Sequence, residues 1–93
     1  MDWNKPGNKQ LVGALLALKT AEEVRRFLRD LLTSSEIEEY AKRLQTAQML
    51  MSEAPYSSIK RATGLSSTTI ARVSRWLHHG MGGYRLVLKR ITQ

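Results

Sequence analysis

The chain contains no cysteine, so disulfides and thiolate chemistry are excluded and a reducing compartment suits it. A second absence is of one sign of charge. All eight acids (Asp2, Glu22, Glu23, Asp30, Glu36, Glu38, Glu39 and Glu53) precede residue 54, where eight basic side chains from Lys5 to Arg43 balance them. Residues 54–93 hold Lys60, Arg61, Arg72, Arg75, Arg85, Lys89 and Arg90 and no carboxylate, so the whole net charge of +7 lies there. Paired-carboxylate catalysis is thereby excluded from that half. The only imidazoles, His78 and His79, have no acid near in sequence to orient them, and no GxxxxGK[ST] or GxGxxG phosphate loop occurs. No enzyme is expected, and no metal, because adjacent histidines diverge around a helix.

Strand signals are also missing: there is no sustained alternation and no Asn-Gly or Asp-Gly turn. The longest apolar run, Leu11 to Leu18, is too short to span a membrane, and no small-x-small cleavage pattern follows it. It reads as a buried helix in a cytoplasmic, nucleoid-associated protein with no membrane partner. At 93 residues the chain is a single domain whose stability would gain from oligomerisation.

What remains is helical. Residues 1–8 read as a loose arm anchored by Trp3, and 9–93 as one all-helical domain of about five to six helices. Residues 9–19 are apolar nearly all round, which calls for cover on several sides, most readily from a second chain. Thr20-Ala21-Glu22-Glu23 and Thr33-Ser34-Ser35-Glu36 are capping boxes. The first opens a helix with Val24, Phe27, Leu28, Leu31 and Leu32 on one face. The second opens a helix to about Ser52 with Ile37, Tyr40, Ala41, Leu44, Ala47 and Met51 inward. Pro55 marks the break, at the charge boundary. Residues 9–54 are therefore expected to build most of a dimer core.

Residues 56–79 carry the functional pattern. A helix of Ser57 to Thr63, then Gly64-Leu65, then a helix from Ser66 to about His79 is helix-turn-helix grammar. Ile59, Leu65, Ile70 and Val73 can share an apolar seam, with Gly64 taking positive φ in the turn and Gly80 a left-handed stop. Burying Ile70, Val73 and Leu77 turns Ser67, Thr68, Ala71, Arg72 and Arg75 outward. Small hydroxyls from Ser66 to Thr69 allow close approach to base edges, and arginines reach phosphate or guanine. Lys60 and Arg61 would lie against the sugar-phosphate backbone. The plainer alternative is a solvated basic face on a helical hairpin. Gly82-Gly83 makes a corner before a last helix over 84–91, with Leu86, Val87, Leu88 and Ile91 inward.

Leu32-Thr33, Glu36 and Arg43, followed by Ile59, Gly64, Thr69-Ile70 and Arg72, resemble the Trp repressor superfamily. The run Thr68 to Arg75 with Leu77, Gly80 and Gly82-Gly83-Tyr84 is similar to its YerC/YecD-type branch. The resemblance implies an intertwined all-helical homodimer presenting two helix-turn-helix units to double-stranded DNA, with half-sites about one helical turn apart and water-rich base contacts. It also implies that Arg43, Thr69 and Arg72 line an effector pocket where two arginines sandwich an indole. Val73 and Trp76 depart from the family's glycine and serine and fill that space. The expectation is that Trp76 stacks between Arg43 and Arg72 in place of a tryptophan co-repressor, so that no cofactor is needed. The other reading places Trp76 at the dimer interface.

The reading favoured is a DNA-binding transcription regulator, a repressor by type. Its rivals are a protein-docking module for an acidic partner, a small-molecule-gated repressor with its ligand near Arg43 and Arg72, and a structured-RNA binder. The last lacks an aromatic stacking platform, since the basic half offers only Tyr56, Trp76 and Tyr84.

Overall fold

The computed structural model describes residues 1–92, which form six α-helices and no strand. These are α1 (Pro6–Ala17), α2 (Ala21–Leu31), α3 (Ser34–Met51), α4 (Tyr56–Thr63), α5 (Ser67–His79) and α6 (Gly83–Ile91). None is long and apolar enough to cross a membrane. The chain divides into two compact units, Met1–Ser34 and the residues from Ser35 onward.

In the first unit, α1 starts within the expected loose arm. Pro6 occupies its first turn, where a fixed φ and a missing N–H cost nothing. Asp2 holds the preceding residues: its carboxylate accepts from the Asn4 N–H at 2.9 Å and its carbonyl from the Asn8 side-chain amide at 2.8 Å. Trp3 is half-exposed beside Lys9 and Val12. Thr20 caps α2 as expected, accepting from the Glu23 N–H at 3.1 Å, but Glu23 reaches one residue further back, to the Lys19 N–H at 3.0 Å. No residue of α1 or α2 is buried within the chain. Leu16 is 81% exposed, and Leu11, Val12, Leu15, Val24 and Leu31 are exposed as well. Phe27, Leu28 and Leu32 are half-buried.

Among the described residues, every buried side chain lies in the second unit. One cluster joins Ala47 of α3, Val73 of α5 and Leu88 of α6, with Leu44, Leu50 and Tyr84 against it. The other joins Ile59, Leu65 and Ile70, with Met49, Leu50 and Ala54 against it. The break expected at Pro55 falls between α3 and α4, and α3 packs with the basic helices. On α3 Leu44 and Ala47 pack inward as expected, and the rest of the expected face differs. Tyr40, Ala41 and Met51 are exposed, while Thr46 is wholly buried, its hydroxyl donating to the Lys42 carbonyl at 2.8 Å. That bond stays inside the helix, so threonine can enter the core without a distant partner.

The α3–α4 corner closes on Glu53, at φ 60 the one non-glycine residue in the left-handed region among those described. The Ala54 N–H donates to the Met49 carbonyl and the Glu53 N–H to the Leu50 carbonyl, both at 3.0 Å. This is the Schellman pattern, sealed by Ala54 packing on the Ile59 cluster.

Candidate nucleic-acid interface

The turn between α4 and α5 is built from three residues. Gly64 ends α4 at φ 73, the positive value that glycine tolerates without strain. Thr63, which sequence reasoning passed over, is buried; its hydroxyl donates to the Ile59 carbonyl at 2.8 Å and accepts from the Leu65 N–H at 3.2 Å. A threonine just before a helix-ending glycine was the signal available for it. Leu65 then plugs into the seam with Ile59 and Ile70. Val73, assigned to the same seam in the sequence, packs instead on Ala47 and Leu88, because α5 is long enough to serve both clusters.

Ser66 starts α5 by accepting from the Thr69 N–H at 3.2 Å, and its hydroxyl bonds that of Thr69 at 3.1 Å. These two hydroxyls are thus committed to the cap. Ser67 and Thr68 remain exposed, with hydroxyls that bond nothing among the described residues. Ala71 and Arg72 continue the exposed stripe one helical turn on, and Arg75 a further turn on. Lys60 and Arg61 are exposed in the last turn of α4, where cations also favour the helix terminus. None of these four cations has an ion-pair partner among the described residues. The face is a solvated, unneutralised positive surface.

The expected Trp76 stack is not formed within one chain. Trp76 is 59% exposed and lies against a shallow notch with Thr68, Ala71, Arg72 and Arg75. Arg43 stands over the Tyr40 ring at 5.3 Å instead, with its Nε 3.7 Å from Glu39, too far for a hydrogen bond. Arg72 sits on the exposed stripe, beside the notch and apart from Arg43's neighbours.

Gly80 is not left-handed. Its φ is −86, and a Cβ there would run into the Trp76 carbonyl oxygen, so glycine is required for space. The left-handed residue of this corner is Gly82, at φ 78. Arg85 from α6 donates to Nδ1 of His78 at 3.2 Å, a bond that requires the neutral ring with its proton on Nε2.

The model of the family described as "Trp repressor protein" matches residues 7–92. The chain belongs to the Trp repressor family. The uncharacterized protein YerC of Bacillus subtilis (strain 168) is 42% identical over 84 residues, covering 90% of this chain and 81% of YerC. A TrpR-like protein from Eubacterium eligens ATCC 27750 superposes with a TM-score of 0.92 at 35% identity, covering 98% of this chain and 94% of that one. A Staphylococcus aureus structure, proposed to be a Trp repressor, gives 0.90 at 34% identity over 99% and 95% of the two chains. These agreements match the family and branch that the motifs indicated, and the helix-turn-helix architecture with them.

Proposed function

We propose that this Trp repressor family member is a homodimeric, sequence-specific double-stranded DNA-binding transcription regulator acting in the cytoplasm. The observation that carries this reading is the exposed α5 stripe of Ser67, Thr68, Ala71, Arg72 and Arg75, presented by a tightly packed turn in a segment without a carboxylate. Affinity comes from Lys60, Arg61 and Arg75 on phosphates, and discrimination from Ser67, Thr68 and Arg72 on base edges. Ser66 and Thr69 contribute by fixing the N-terminus of α5. Two copies cover one another's α1 and α2, whose apolar side chains one chain leaves exposed. The S. aureus relative, as a proposed Trp repressor, supports the same assignment.

DNA binding proceeds without tryptophan in this reading, because Val73 and Trp76 put bulk where the family resemblance expects a glycine and a serine, and so leave less room and fewer polar contacts beside Arg72. Selection of sites from a random duplex pool, with and without tryptophan, tests it. A two-fold symmetric consensus in both pools is expected. Enrichment only with tryptophan would restore ligand gating around Arg43, Thr69 and Arg72, and enrichment in neither would favour docking to an acidic protein. Replacing Arg75 by alanine should weaken binding to all sequences alike and flatten the salt dependence by about 0.9 per lost phosphate contact; a change confined to sequence preference would refute the phosphate role.

A further inference from the structure

The outer face of α5 has a dent in it. Ala71 has only a methyl, yet its neighbours on the same face are Thr68 one turn before and Arg72, Arg75 and Trp76 after it, all with longer side chains. The result is a notch of about 400 Å³ lined by these five residues. Its floor and one wall, the Ala71 methyl and the Trp76 indole, are apolar. Its rim carries two guanidinium groups without carboxylate partners and the Thr68 hydroxyl, which is not bonded among the described residues. Within one chain Trp76 is 59% exposed, although such a ring gains from burial.

A ligand that fits this chemistry presents a small apolar group flanked by an acceptor and by negative charge. In the major groove thymine alone among the four bases offers a C5-methyl group, beside its O4 acceptor and within reach of phosphates. We infer that the notch over Ala71 receives the C5-methyl edge of a thymine, with Trp76 as its wall and Thr68 as the donor to O4. This rests on the reading of α5 as the helix that enters DNA. It makes residue 71 a specificity-determining position through its size: the dent exists because the side chain there stops at Cβ.

The test uses the duplex enriched by selection, with each thymine replaced in turn by deoxyuridine, which lacks only the methyl. One thymine in each half-site should then bind about fourfold more weakly, the worth of one methyl-sized group kept from water. Ala71→Leu fills the notch while preserving helix propensity, and Ala71→Gly removes its floor; either should abolish the difference between thymine and uracil at that position. In a Trp3→Phe background Trp76 is the remaining indole, and the duplex should shield its fluorescence from acrylamide. Intact binding with uracil tolerated at every position overturns the notch and leaves DNA reading by α5 standing. So does a thymine preference that survives Ala71→Leu, or a Trp76 signal that the duplex leaves unchanged. A chain that enriches and binds no duplex overturns the underlying reading itself.

Discussion

From Ser35 onward seven apolar side chains are buried, whereas before it no residue is, although that first segment contains the longest apolar run in the chain. The two regions spend similar residue types differently. In the second, Ile59, Leu65 and Ile70 find one another through a short turn, and Ala47, Val73 and Leu88 through helices that return on themselves. In the first, Leu11, Val12, Leu15 and Leu16 surround a helix that its own chain does not enclose. Hydrophobicity thus shows that a segment must be covered without showing by what. The division also separates packing from charge: α3, with three of the acids, is part of the unit that carries the basic face.

Five substitutions probe the contrast, beginning with the largest effect. Ile70→Ala, at a wholly buried position, should cost about 2–5 kcal/mol in chemical denaturation, and do so at any protein concentration. Leu16→Asp is the counterpart in the first unit. For an isolated chain a change at so exposed a site should stay within about 0.5 kcal/mol. With a second copy covering it, the loss should reach roughly 1.5–3 kcal/mol, with monomers in sedimentation and a Tm that falls on dilution. A concentration-independent Tm identical to the parent would break the comparison.

Next come the two caps, one in each unit. Thr20→Ala and Ser66→Ala should each cost about 1 kcal/mol, because each hydroxyl satisfies a first-turn amide. If stability of the first unit depends on association, the Thr20 variant should lose part of its effect at high concentration and the Ser66 variant none of it. The smallest change is favourable: Glu53→Gly, which relieves a left-handed side chain, should raise stability by roughly 0.5–1 kcal/mol by denaturant titration. A loss there would show that the glutamate side chain contributes more than its backbone costs.

Much of the architecture was legible in the residues. Capping by Thr20, the opening of α5 at Ser66, positive φ at Gly64 and the seam of Ile59, Leu65 and Ile70 all follow from local rules, since each joins residues close in sequence. The failures needed three-dimensional information. Glycine at 80 looks the same in a sequence whether it serves φ or space, and here the Trp76 carbonyl decides. Extrapolating an ideal helical face along α3 placed Leu44 and Ala47 inward, as observed, but also Tyr40, Ala41 and Met51, which are exposed, and it left out Leu50, which packs on the same cluster. In the candidate site, the exposed stripe was predictable from what must be buried opposite it. The pairing of Arg43 with Tyr40, and the notch over Ala71, depend on side-chain directions that periodicity does not encode.

The Thr63 hydroxyl, placed between the Ile59 carbonyl and the Leu65 amide, has a kinetic consequence. Turn amides ordinarily trade their protons with solvent quickly, because local opening is easy. Here the Leu65 proton is held by a buried oxygen that is itself tied to α4, so its release requires the seam to separate. The turn should therefore exchange on the timescale of the hydrophobic core, and α5 leaves α4 along a fixed direction instead of swinging from a hinge.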